Sequence, residues 1–147
     1  MLQGTYEGRM DAQGRIVIPQ RCREPFEGEM FVVRGLDGNI DMYPAAEWHE
    51  EEAKLQRFSG YNTEARLAHR LLFSGSFPAQ MDRQGRVVIP PMLRQYASIQ
   101  EEVVVAGAGR KLELWSKDRW AVQEAQAPNL PKIASALELI ESKGKRP

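Results

Sequence analysis

The chain has 147 residues, a length that suits one domain or two small ones. Its 20 Lys and Arg balance its 20 Asp and Glu, which excludes a histone-like polycation and confines any nucleic-acid contact to a local patch. Apolar residues at 42% and charged residues at 27% are the balance of a soluble globular protein, and disorder across the body of the chain is excluded.

Cys22 is the single cysteine, so neither an intrachain disulfide nor a thiolate zinc cluster is available, and a reducing compartment is expected. The first residues lack the basic-then-apolar layout of a signal peptide. No apolar run approaches the roughly 20 residues that span a bilayer. A cytoplasmic protein with no membrane partner follows as the expectation.

An internal repeat organises the rest. GTYEGRMDAQGRIVIP (Gly4 to Pro19) recurs as GSFPAQMDRQGRVVIP (Gly75 to Pro90), with nine identities in sixteen positions at an offset of 71. One residue is then inserted, and at an offset of 72 Met30 to Gly35 aligns with Glu102 to Gly107, and Ile40 to Tyr43 with Leu112 to Trp115. A unit of about 45 residues buries too little surface to stand alone. The two halves are therefore expected to share one core across a pseudo-twofold axis, within the chain or between chains.

In chain order, Thr5 to Met10 and Arg15 to Ile18 are short and rich in β-branched or aromatic residues. Between them Asp11 and Gly14 suit a type I turn followed by a left-handed residue, a hairpin loop with Asp11 and Arg15 as its closing pair. Asp82, Gly85 and Arg86 repeat it. Prolines end both runs, with short helical turns expected in Gln20 to Glu24 and Met92 to Ala97. Met30 to Arg34 and Ile40 to Tyr43 form a second strand pair, as do Val103 to Ala106 and Leu112 to Trp115. A helix closes each unit, with Pro44 in the first turn of one and Ser116 capping the other. Each unit is thus ββ(α)ββα. A linker helix capped by Asn62 or Thr63 carries an apolar stripe of Leu67, Ala68, Leu71 and Leu72. Ile133, Leu137 and Ile140 mark a last amphipathic helix before a loose basic tail, Lys143 to Pro147. The organisation is a first repeat at 1–55, a helical linker at 56–74, a second repeat at 75–125, and a C-terminal helix and tail at 126–147.

Catalytic chemistry is poorly supplied, and neither an enzyme nor a cofactor is expected. His49 and His69 have no ligand spacing, the glycines occupy turns rather than a phosphate loop, and Cys22 between Arg21 and Arg23 has no histidine beside it in the repeat pattern. Arginine placement is the informative feature. Arg9, Arg15, Arg21 and Arg23 face the single acid Asp11 for a local charge of +3, and Arg83, Arg86 and Arg94 face Asp82 for +2. The Asp11–Arg15 and Asp82–Arg86 pairs are either surface ion pairs closing two hairpins, worth roughly 0.2 to 1 kcal/mol each, or arginine forks held by a carboxylate and aimed at phosphate or a guanine edge. Their recurrence favours the second. Trp48, Trp115 and Trp120 are expected to pack in the core rather than stack on bases, and the Ile16 to Ile18 and Val87 to Ile89 runs are expected to be core strands.

A DxxxR hairpin followed by Ile-Val-Ile-Pro and repeated as DRQGRVVIP closely resembles the MraZ family of bacterial transcriptional regulators, over about residues 1 to 125. Each repeat also resembles the wider AbrB-type swapped-hairpin family. The resemblance implies an α+β fold, mainly β with helices, in which two repeats form a pseudo-twofold swapped-hairpin β-barrel assembled into a homo-oligomeric ring. It implies sequence-specific binding to short repeated boxes of double-stranded DNA upstream of its own division and cell-wall operon, usually as a repressor, and hence a nucleoid-associated protein. The DxxxR motif carries over onto Asp11 and Arg15 and onto Asp82 and Arg86; Arg9, Arg21, Arg23 and Arg83 join the candidate DNA-binding set from charge alone. The alternatives are a ring-forming adaptor that binds proteins through the apolar helix faces, an antitoxin-type module, and a hydrolase using Cys22.

Overall fold

Short strands punctuated by Gly and Pro cannot build a sheet from one repeat, and most of the pairing crosses between the two. The computed structural model describes residues 1–144, and the chain divides into one unit ending at Lys117 and another beginning at Asp118.

The first repeat supplies β1 (Thr5–Arg9), β2 (Arg15–Val17), β3 (Glu29–Arg34), β4 (Ile40–Pro44) and α1 (Ala45–Gln56). After α2 (Thr63–Ser74), the second supplies β5 (Ser76–Gln80), β6 (Arg86–Val88), α3 (Pro91–Tyr96), β7 (Glu102–Gly107) and β8 (Leu112–Ser116). Short 3-10 turns at Gln20–Cys22 and Glu24–Phe26 take the place of α3 in the first repeat. The six-stranded sheet runs β1-β7-β8-β4-β3-β5, antiparallel throughout, and β2 pairs with β6 in a separate two-stranded ribbon. Exchanging the repeats leaves this order unchanged, with β4 and β8 at the centre, Asp41 opposite Glu113. The halves therefore pair within the chain.

Two sequence expectations need correction. The sheet does not close into a barrel: β1 and β5 remain edges, and the ribbon stays separate from them. Pro19 and Pro90, two residues beyond β2 and β6, lack the N–H that would extend the ribbon into a longer ladder. Nor do β1 and β2 pair with each other across their turn. Each diverges to a strand of the other repeat, β1 to β7 and β2 to β6, because that is where the apolar faces meet.

One hydrophobic core fills the space between ribbon and sheet. Ile16 and Val87 from the ribbon, Phe26, Leu93 and Cys22 from the short helices, and Met30, Val32, Ile40, Met42, Leu112 and Leu114 from the sheet are all buried there. On the opposite face Trp48 from α1 packs on Tyr43 and Phe31, with ring centroids 5.4 and 6.1 Å apart, and Trp115 is also buried. Pro44 stands just ahead of α1, at its cap, rather than in its first turn. The Asn62 side chain caps α2 by accepting from the Ala65 N–H at 2.9 Å.

The second unit comprises α4, reached at Lys117–Glu124, and α5 (Leu130–Gly144). The apolar periodicity of α5 leaves Leu130, Ile133, Leu137, Leu139 and Ile140 exposed. Lys143 and Gly144 of the expected tail continue this helix; 145–147 lie outside the described residues. No helix among the described residues is long and apolar enough to cross a membrane.

Leu114 is fully buried on the central strand β8, so Leu114→Ala leaves a cavity under both repeats. Its expected cost is about 2–5 kcal/mol, seen in urea denaturation as a lower midpoint with an unchanged slope.

Candidate nucleic-acid interface

The two turns that precede the ribbon are built alike. Gly14 donates to the Asp11 carbonyl at 3.0 Å and has φ +76°, and Gly85 does the same to Asp82 with φ +78°. That is a type I turn closed by a left-handed glycine. One carboxylate oxygen of Asp11 accepts from the backbone N–H groups of Gln13 and Arg15, both at 2.9 Å, and the other accepts from Arg15 Nε at 2.7 Å. Asp82 holds Gln84, Arg86 and Arg86 Nε at 2.9, 2.9 and 2.8 Å. Each guanidinium also reaches the glutamine of its turn, at 3.4 Å for Gln13 and 3.3 Å for Gln84. The Nη1 side of both forks has no protein partner among the described residues.

These bonds fix the charge state of the turns. The backbone N–H of Arg15 is the strongest influence holding the Asp11 carboxyl below its ordinary range, aided by the Arg15 side chain and the Gln13 N–H and opposed by partial desolvation. The same set, led by the Arg86 N–H, lowers Asp82.

The ribbon turns the forks outward. Strand alternation buries Ile16 and Val87, whereas Arg15, Val17, Arg86 and Val88 share the opposite face. Arg15 stands opposite Val88 and Val17 opposite Arg86, so the arginines occupy one diagonal of a four-residue block and the valines the other. Val17 is 49% and Val88 56% exposed, which corrects the expectation that both runs lie wholly in the core. The period of two in these runs was the signal, obscured because all their residues are apolar.

Each turn is also held by the other repeat. The Ile89 N–H donates to the Gly14 carbonyl at 2.8 Å, and Arg94 Nε donates to the Ile89 carbonyl at 3.0 Å. The Arg94 guanidinium lies against Gly14, where an added Cβ would come within 2.8 Å of its Cζ. Ile18, Gly85 and Arg23 repeat this arrangement, with Ile18 N–H to the Gly85 carbonyl at 2.8 Å and Arg23 Nε to the Ile18 carbonyl at 2.9 Å. Arg94 was not singled out from the sequence as a site residue, although the repeat offset of 71 connects it to Arg23.

The remaining candidates are dispersed. Arg83 is exposed in the second turn. Arg9, at the end of β1, is bound to Glu101 at 2.7 Å. Arg21 is exposed beside Cys22 near the first residues of the chain, and Cys22 itself is buried. His49 and His69 engage Glu52 and the Leu55 carbonyl, each at 2.6 Å. Among the described residues no three His, Cys, Asp or Glu are grouped to hold a metal.

A partly buried polar cluster lies elsewhere, where β4 meets β8, with Asn39 and Asp41 buried and Lys111 and Glu113 half-buried. Lys111 Nζ is 3.0 Å from Asp41 and 3.3 Å from Glu113, and Asn39 donates to Asp41 at 2.8 Å. Burial pushes the Asp41 carboxyl up against the pull of Lys111. It pushes the Tyr43 hydroxyl up to about 12. Burial is the largest single influence on Lys111 and opposes its charge, but Asp41, Tyr43 and Glu113 together outweigh it and keep the ammonium protonated.

The family model described as "MraZ protein, putative antitoxin-like" matches residues 1–71 and again 72–141. The chain belongs to the MraZ family. It is 39% identical over 139 residues to the "Transcriptional regulator MraZ" of Heliobacterium modesticaldum, covering 93% of this chain and 96% of the relative. The protein of that name from Carboxydothermus hydrogenoformans is 40% identical over 120 residues, 82% of this chain and 84% of its own. That from Lactobacillus delbrueckii subsp. bulgaricus is 35% identical over 142 residues, 96% and 99% of the two chains. The two matches of the MraZ model divide the chain at the offset its own repeat displays.

An aspartate whose pKa folding depresses adds stability above its unfolded value, near 3.9, and loses that contribution as pH falls through the folded value. Asp11 and Asp82 are therefore expected to titrate below a free aspartate peptide, with the amide signals of Gln13 and Arg15 moving in step. A side-chain carboxyl NMR titration checks this; midpoints at the ordinary aspartate value contradict the turn geometry.

Proposed function

We propose that this MraZ-family chain is a sequence-specific DNA-binding transcriptional regulator that docks the β2–β6 ribbon on double-stranded DNA. The observation that carries the proposal is the diagonal pair of arginine forks, one from each repeat, on the outward face of a two-stranded ribbon. A ribbon of two strands fits the major groove, where arginine pairs with guanine O6 and N7 and an apolar side chain meets the thymine methyl group. Asp11 and Asp82 fix the orientation of Arg15 and Arg86 before DNA arrives, so less side-chain freedom is lost on binding. Arg83 and Arg21 add phosphate contacts. The names of the relatives favour transcriptional regulation.

One ribbon neutralises only a few phosphates, which gives weak binding at physiological salt. We infer that the protein works as a homo-oligomeric ring on tandem short boxes upstream of its own operon, usually as a repressor on the nucleoid. Identical ribbons then gain affinity through effective concentration. The exposed Leu137 and Ile140 of α5 supply apolar surface for contacts between subunits.

Fluorescence anisotropy of the native upstream duplex against a scrambled one tests the reading. Arg15→Ala or Arg86→Ala is expected to cost about 1–3 kcal/mol on the native duplex and much less on the scrambled one. Equal loss on both duplexes reduces the arginines to phosphate contacts. No preference for the native duplex favours the protein-binding adaptor instead.

A Leu137→Glu, Ile140→Glu variant is expected to sediment as smaller species and to lose the affinity advantage of tandem over single boxes. A monomer that keeps full tandem affinity rules the ring requirement out.

A further inference from the structure

We propose that Arg23 and Arg94 are positioning residues that act across the repeats: Arg94 sets the turn that aims Arg15, and Arg23 sets the turn that aims Arg86. The inference rests on the DNA reading of the ribbon, and it reassigns Arg23, which charge alone had placed among the DNA contacts.

The geometry is reciprocal. Arg94 belongs to the second repeat, yet its guanidinium lies over Gly14 of the first, and Arg23 of the first lies over Gly85 of the second. Each spends its Nε–H on a carbonyl of its own repeat, Ile89 for Arg94 and Ile18 for Arg23, at 3.0 and 2.9 Å. The same isoleucine donates its N–H to the covered glycine's carbonyl, at 2.8 Å in both halves. One isoleucine thus ties an arginine of its own repeat to the turn of the other. A planar guanidinium suits this place because it can lie flat on a residue without a Cβ while its edge donates in a fixed direction. The glycines have positive φ, so the turn needs them for its backbone as well as for the room they leave.

Arg23 and Arg94 are part-buried, with Nε committed to protein. Arg15 and Arg86 differ: their Nε is held by an aspartate on the outward face of the ribbon. The chemistry divides four arginines into two that face the ligand and two that hold the frame. Each ligand-facing arginine is then aimed by the repeat to which it does not belong.

The pairing is crossed, and a double-mutant cycle reads it directly. Anisotropy is measured on the native duplex at several salt concentrations for Arg23→Ala and Arg94→Ala, each alone and combined with Arg15→Ala or Arg86→Ala. Arg94→Ala is expected to weaken binding about tenfold in the wild-type or Arg86→Ala background and to have little further effect once Arg15 is gone, as for side chains in one network. Arg23→Ala couples likewise to Arg86 and not to Arg15. The slope of log affinity on log salt stays unchanged for both, whereas loss of a phosphate contact lowers it by about one. Additive effects in both backgrounds, or a lowered slope, overturn the proposal in favour of direct contact. Arg94→Lys keeps the charge and the aliphatic stem, and is expected to bind as weakly as Arg94→Ala; recovery of affinity with lysine also overturns it.

Amide hydrogen exchange on the free protein separates this inference from the DNA reading. Arg94→Ala and Arg94→Lys are expected to speed exchange at Gly14, Arg15 and Ile89 while leaving Gly85, Arg86 and Ile18 unchanged, and Arg23 variants do the reverse. Unchanged exchange, or exchange raised equally in both turns, refutes the crossed clamp whatever the DNA result. Crossed exchange without any preference for the native duplex retains the clamp and discards the DNA reading.

Discussion

Neither repeat has enough strands to cover its own apolar surface, and the whole architecture follows from that shortage. β3 and β4 pair locally, as do β7 and β8, but each pair needs an outer strand, and that strand comes from the other repeat. The ribbon is a joint product, with β2 and β6 burying Ile16 and Val87 together over one core. The outward face of the ribbon therefore exists only when both halves have folded onto each other.

This shared construction also explains the stiffness of the turns. A hairpin standing alone would hold its tip by its own ladder, but here β1 and β2 part company immediately after the turn. The turn is instead supported by an aspartate that ties up two backbone N–H groups and by the neighbouring repeat through Ile18 or Ile89. Net neutrality of the chain is compatible with a basic face because acids such as Glu47 and Glu50 lie elsewhere, engaged with Arg110.

Local structure was legible in the sequence to the extent that it is set locally. Asp11 and Gly14 specify their turn at a fixed spacing, Asn62 caps its helix, and the β-branched runs become strands. Pairing across repeats depends on which apolar faces meet, so the Thr5–Met10 and Arg15–Ile18 segments read as one hairpin although they join different partners. Closure into a barrel depends on how far a ladder extends, and no single position encodes that. In the site, Asp11, Arg15, Asp82 and Arg86 were visible as a repeated motif. The role of Arg94 was not, because its partner Gly14 lies eighty residues away and only the fold brings them together. Val17 and Val88 were hidden among apolar neighbours until strand pairing assigned their faces.

At the centre of the sheet Asp41 faces Glu113, and the positions two residues earlier hold Asn39 in one repeat and Lys111 in the other. Two identical halves would have to place the same side chain on both sides of such an axis. Joining them in one chain lifts that restriction, and a single lysine serves both carboxylates. The seam is consequently a lock with a preferred key. Two first halves brought together from separate chains would bury aspartate against aspartate with no cation between them, whereas two second halves would bring one Lys111 for each Glu113. The first half is thereby directed toward the partner to which it is already tethered, and pairing of two first halves from neighbouring molecules is discouraged by charge.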